Sequence, residues 1–130
     1  MKQDLSIREP ERSLPYTTVL FDLDGTLLES GPGILAAARA VLRDMALPDL
    51  PDEEMVRMVG PPLADSFRSV LRVPQERVAE AVRRYHETAR TVGLDLIFPY
   101  PGVRELLGQL KDAGLVLAVV TSKITPTANA

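Results

Sequence analysis

Cysteine and tryptophan are absent, histidine occurs once, and the aromatic residues make up only 5% of the chain. Without cysteine there is no disulfide framework, no thiolate metal site and no cysteine nucleophile, and a reducing, cytoplasmic location is expected. Long hydrophobic runs are also missing. The longest, Leu115 to Val120, is far too short to cross a bilayer, and residues 1–16 are polar and charged rather than a secretion signal. Positive charge is not in excess: 15 Lys and Arg stand against 18 Asp and Glu, a net charge of -3, so no basic field draws in a nucleic acid backbone. Neither a membrane nor a nucleic acid is expected as a partner. What remains is a globular composition, 45% hydrophobic and 25% charged over 130 residues.

Residues 1–16 mix Lys2, Arg8 and Arg12 with Asp4, Glu9 and Glu11 and read as a flexible tail. Val19, Leu20, Phe21 and Leu23 then form an apolar run that predicts a strand covered on both faces, with Asp22 and Asp24 at its carboxyl end. From Ser30 to Phe98 the period is helical. Ile34, Ala38, Val41, Leu42 and Met45 line a first helix behind Ser30, a cap residue, and Pro32. Met55, Val56 and Val59 line a second up to Gly60-Pro61-Pro62; Leu63, Phe67, Val70 and Leu71 a third; and Val78, Val82, Tyr85, Ala89 and Val92 a fourth, which Gly93 ends. A fifth helix carries Val103, Leu106, Leu107 and Leu110, with Gly114 past its end, and a second buried strand follows over Leu115 to Thr121.

Strand, helix, strand in this order predicts a parallel pair joined by a right-handed crossover, with the helical block 30–98 inserted ahead of it. The fold expected is α/β, an incomplete Rossmann-like parallel-sheet core (17–29 and 99–130) carrying an inserted all-helical cap (30–98). Thr125-Pro126 opens a further helix just before Ala130, and two parallel strands leave bare edges and an uncovered face. A fragment of a longer domain, with self-association through exposed sheet edges, is therefore the expectation.

Open parallel sheets bind ligands beyond the carboxyl ends of their strands, and the two polar clusters, Asp22 to Thr26 and Thr121 to Lys123, both fall at such ends. Two carboxylates one residue apart can divide nucleophilic attack from proton transfer while offering hard oxygens to a divalent cation. Thr26, Thr121, Ser122 and Lys123 supply hydroxyls and a positive charge for a phosphate. A small phosphorylated metabolite is the partner this inventory predicts.

The segment Phe21-Asp22-Leu23-Asp24-Gly25-Thr26 after a buried strand resembles the first motif of the haloacid dehalogenase superfamily in its phosphatase form, and Val119-Val120-Thr121-Ser122-Lys123 resembles its second. Gly60-Pro61-Pro62-Leu63 and Pro99-Tyr100-Pro101-Gly102 are similar to the phosphoglycolate phosphatase-like branch. That resemblance implies Asp22 as the nucleophile forming an aspartyl-phosphate and Asp24 as general acid and base. Mg²⁺ would be held by Asp22 and the Asp24 carbonyl, and Thr121 would bind the phosphoryl group. The superfamily's third-motif lysine and fourth-motif acidic pair are not found before Ala130, so impaired turnover is expected of this chain by itself.

A nucleotide or pyrophosphate substrate, and a non-catalytic interaction module of the same fold, are the alternatives to a phosphoglycolate-like phosphomonoester. His86 reads as an exposed helix residue and Arg83, Arg84 and Arg90 as a solvated face. Met45, Met55 and Met58 read as core filler, and Gly60 to Leu63 as either a helix stop or a substrate-contacting loop.

Overall fold

The computed structural model describes residues 15–123. Most of the expected tail and the helix opening at Thr125 lie outside them.

Strand β1 (Thr18–Phe21) carries the β-branched and aromatic residues that favour extended backbone. After it the chain coils tightly: the Leu23 carbonyl accepts from the amides of Thr26, Leu27 and Leu28, at 3.2, 3.0 and 3.1 Å. Gly25 makes that turn possible, since its φ of 76° lies where a side chain would be strained. A two-residue strand β2 (Leu28–Glu29) follows and leads into the helical block.

The first helix, α1 (Gly31–Asp44), has Pro32 in its first turn, but Ser30 does not cap it: its hydroxyl is buried and has no partner among the described residues. Helix α2 (Asp52–Met55) tightens into a 3-10 turn, Val56–Met58. The tighter turn rotates the inward set, so Met55 and Met58 are buried, whereas Val56, expected inside, is 55% exposed. The third segment, α3 (Leu63–Asp65), widens at once into a π turn over Ser66–Val70. There the buried Ser66 hydroxyl donates to the Met58 carbonyl at 3.0 Å and ties two segments together. Helix α4 (Val78–Thr88) stops before Gly93, since the chain turns from Ala89 onward and Val92 is left exposed. Gly93, at a φ of 84°, instead starts the short turn Leu94–Leu96.

One apolar core holds this block together. Ala37, Ala38, Val41 and Leu42 of α1 pack with Met55, Met58, Phe67 and Leu71, and with Val78, Ala81 and Tyr85 of α4. Every fully buried residue of that cluster lies between Ala37 and Ala89, so the helices are a packing unit of their own. The methionines at 45, 55 and 58 are core filler as expected.

The return strand β3 (Phe98–Pro99) pairs antiparallel with β2, so the chain's two crossings between strands and helices lie side by side. Helix α5 (Val103–Asp112) ends as expected at Gly114, whose amide bonds to the Lys111 carbonyl at 2.9 Å while that of Leu115 reaches Leu110 at 3.2 Å. Strand β4 (Val116–Val119) then pairs parallel with β1, Thr18 opposite Val116 and Phe21 opposite Val119.

The expectation of two-sided burial fails for both strands. Leu20 is 64% exposed, and Val116 and Val120 are each 61% exposed. A single crossover helix can cover only one face of a two-stranded sheet, and α5 itself has no fully buried residue.

Where the chain enters and leaves the helical block, two glycines touch. A Cβ built on Gly33 would lie 2.5 Å from the Gly93 carbonyl oxygen and 2.6 Å from the Ile97 side chain. Backbone cannot retreat as a flexible side-chain tip would, so Gly33→Ala is expected to cost about 1–3 kcal/mol in urea unfolding. Gly108, in mid-helix α5 with open space around it, should behave in the opposite way, Gly108→Ala gaining up to about 1 kcal/mol from helix propensity. Similar effects of the two substitutions would contradict the packing described.

Candidate active site

The in-register parallel pair sets the ends of β1 and β4 next to each other. Backbone bonding continues past the ladder, the Val120 amide donating to the Phe21 carbonyl at 2.8 Å. Asp22 and Asp24 therefore leave the sheet beside Thr121, Ser122 and Lys123, and these five residues line one cleft of about 420 Å³. Thr26, the remaining expected residue, stands next to it and donates its hydroxyl to Asp22 Oδ2 at 3.3 Å.

The contact that joins the two clusters is Lys123 Nζ to Asp24 Oδ1, 2.9 Å, between residues 99 positions apart. Their side chains are only 13% and 24% exposed, so this pair is better shielded from water than an ordinary surface ion pair. The backbone amide of Lys123 also donates to Thr121 Oγ1 at 3.1 Å, fixing the turn that aims the lysine inward. Asp22, by contrast, is exposed, with its carboxylate open to the cleft.

The opposite wall comes from the helical block. Gly60, Pro61, Pro62 and Leu63 form one part of it. Tyr85 and His86 of α4 form another. His86 was expected to be exposed, and it is half-buried instead, with Nδ1 out of reach of solvent and unpartnered among the described residues. The sequence held a signal for this. Val78, Val82 and His86 are spaced four apart, so the histidine continues a row on the flank of the apolar stripe. The arginines of α4 do form a solvated face, Arg83 pairing with Glu87 at 2.9 Å and Arg84 with Glu80 at 2.7 Å.

As to a metal, the acidic donors available are the hard oxygens of Asp22 and Asp24 with nearby backbone carbonyls, and no group of three His, Cys, Asp or Glu converges among the described residues. That set fits Mg²⁺ in kind, because this ion binds through one or two carboxylates and keeps several of its waters.

Tyr85 stacks edge-on against Phe67 with ring centroids 6.0 Å apart. Burial, and secondarily the charge of Asp24, push its hydroxyl from 10.0 up to about 12. A group that holds its proton more tightly when folded adds stability that is complete below the unfolded pKa and is lost as pH rises toward the folded one. Unfolding free energy should therefore fall between about pH 10 and 12, and the difference between wild type and Tyr85→Phe should carry that slope. Parallel pH profiles for the two proteins would refute the placement of the phenol.

Residues 19–130 match the family model described as haloacid dehalogenase-like hydrolase. Among curated relatives, the pyrophosphatase PpaX of Halalkalibacterium halodurans is 37% identical, covering 88% of this chain and 52% of its own length. A plasmid-encoded phosphoglycolate phosphatase of Cupriavidus necator is 36% identical, covering 85% and 50%. Among solved structures, a haloacid dehalogenase-like family hydrolase of Streptococcus pneumoniae superposes with a TM-score of 0.76 at 32% identity, over 88% of this chain and 53% of that one. The chain spans about half the length of the relatives it matches. No helix among the described residues is long and apolar enough to cross a membrane. With its α/β fold, its strand-end carboxylates and a family match running from Val19 onward, the chain belongs to the haloacid dehalogenase-like hydrolases.

Proposed function

We propose that the protein is a phosphomonoester hydrolase acting on a small phosphorylated metabolite, a phosphoglycolate-like acid in the first instance, through an aspartyl-phosphate on Asp22. The observation that carries this reading is the convergence of Asp22, Asp24, Thr121 and Lys123 on one cleft from two distant strand ends.

An Asp22 carboxylate oxygen attacks phosphorus as the ester P–O bond breaks, and Asp24 gives its proton to the departing alkoxide oxygen. Asp24 then takes a proton from water, which attacks the aspartyl-phosphate and releases phosphate with Asp22 restored. Lys123 links these steps to binding. Held by Asp24 in the free protein, its ammonium is drawn away by the more highly charged phosphoryl group, which leaves Asp24 free to carry a proton. Thr121, Thr26 and Ser122 donate hydroxyl hydrogen bonds to the phosphoryl oxygens. Mg²⁺, held by the Asp22 carboxylate and the Asp24 carbonyl, would neutralise phosphoryl charge when bound.

In this reading residues 30–98 act as a cap over a core made of 17–29 and 99–130, turning on the linkers around Glu29 to Gly33 and Phe98 to Gly102 to exclude water. Copies of the chain would associate through the exposed edges of the β1–β4 sheet, beside the exposed Leu20, Val116 and Val120. A cytoplasmic location fits the small charged substrate and the absence of cysteine.

In a version of the protein extended to the length of its relatives and carrying these residues, Asp22→Asn is expected to abolish Mg²⁺-dependent hydrolysis of phenyl phosphate, because an amide cannot form the acyl-phosphate. Asp24→Asn should lose about 10² to 10⁴ in rate. Mass spectrometry of the acid-quenched protein should locate the phosphoryl group on Asp22. Its appearance on another residue, or a loss below about tenfold for Asp24→Asn, would overturn these roles.

A further inference from the structure

We infer that Tyr85 is a positioning residue for the reaction, its hydroxyl orienting the Asp24 carboxyl toward the leaving oxygen from the helical side of the cleft. The inference rests on the reading of Asp22 as nucleophile and Asp24 as proton donor.

A general acid must hold its proton within hydrogen-bond reach of the departing oxygen. Among the described residues the Asp24 carboxylate has one fixed partner, Lys123, whose ammonium takes Oδ1 at 2.9 Å. In the reaction that partner leaves, since the phosphoryl group draws the ammonium to itself. It would also be a poor permanent partner, because a cation beside Asp24 holds off the proton that Asp24 has to carry. A neutral donor opposes that proton far less, and it can set the direction of the carboxyl once the lysine has gone.

Tyr85 is placed to be this donor. Of the residues by which the helical block lines the cleft, it alone carries a hydroxyl. Its ring is fixed, being 8% exposed and packed edge-on against the fully buried Phe67 with centroids 6.0 Å apart. The same cleft is lined by Asp24 from the strand end, and the charge of that carboxylate acts on the phenol. With its hydroxyl pushed up to about 12, Tyr85 keeps its proton and serves as a donor only. Lys123 occupies Oδ1, so Oδ2 is the oxygen open to the phenol. Donation there leaves Oδ1, which the lysine vacates in favour of the phosphoryl group, to carry the proton on the side where the leaving oxygen sits. Asp24 gives that proton to the leaving oxygen and later takes one from water, while the Tyr85 O–H stays intact.

Tyr85→Phe removes the hydroxyl and keeps the ring against Phe67. Leaving-group dependence reads its effect in the protein extended to the length of its relatives, because phenoxide needs a proton from Asp24 as it departs and the weakly basic 2,4-dinitrophenoxide does not. The quantity to follow is kcat/KM, which covers the steps up to release of the leaving group. Tyr85→Phe is expected to lower it about tenfold more for phenyl phosphate than for 2,4-dinitrophenyl phosphate, and Asp24→Asn should show the same contrast on a larger scale. In the Asp24→Asn background, Tyr85→Phe should change phenyl phosphate hydrolysis by less than about twofold, since a residue that acts through Asp24 then has nothing left to orient.

Two results would overturn the inference. If Asp24→Asn discriminates between the substrates but Tyr85→Phe lowers both alike or neither, or if the two substitutions act independently, Tyr85 does not position Asp24, although the roles of the two aspartates stand. If Asp24→Asn itself fails to discriminate, or Asp22→Asn hydrolyses phenyl phosphate as the wild type does, the reading of the site fails and this inference with it.

Discussion

Parallel pairing of β1 with β4 is the constraint from which the site follows. The register sets Phe21 opposite Val119, and this alone decides that the residues after each strand emerge together. A strand advances about 3.3 Å per residue and reverses its faces at every step. A slip of one residue would turn the apolar positions over, and a slip of two would carry Lys123 far beyond the 2.9 Å that joins it to Asp24. The turn after β1 adds the finer adjustment, for it is the convergence of three amides on the Leu23 carbonyl that brings Thr26 back to Asp22.

The helical block meets a different demand. Its core is closed among its own helices, and the segments by which the chain enters and leaves it pair with each other in the β2–β3 ladder. It contributes the loop at Gly60 to Leu63 and the adjacent pair Tyr85 and His86, which together give the cleft its second wall.

Much of this could be read from residue order. The apolar run ending at Asp22 and Asp24, the run ending at Thr121, and the helical period between them are strong local signals, and the carboxyl-end rule for parallel sheets joins the two polar clusters on residue order alone. Three features could not be read in that way. Two-sided burial of β1 and β4 was inferred from unbroken apolar sequence, but burial depends on how many strands and helices are at hand, and here Leu20, Val116 and Val120 face outward. Val56 turned out because α2 tightens to 3-10 geometry, a change of pitch that a fixed helical period does not register. His86 and the Lys123–Asp24 pair depend on the placement of α4 and β4 against β1, a matter of tertiary packing. For the histidine alone, the four-residue spacing from Val78 and Val82 left a trace in the sequence.

The central claim is that both strand ends build a single phosphoryl site. Titrating the ¹⁵N-labelled protein with inorganic phosphate in the presence of Mg²⁺, and following the backbone amides, tests it most directly. The account predicts that Asp24, Gly25 and Thr26 at the end of β1 and Thr121, Ser122 and Lys123 at the end of β4 shift together along one binding curve with a common Kd. Shifts confined to one cluster, or two curves with unlike Kd values, would contradict it.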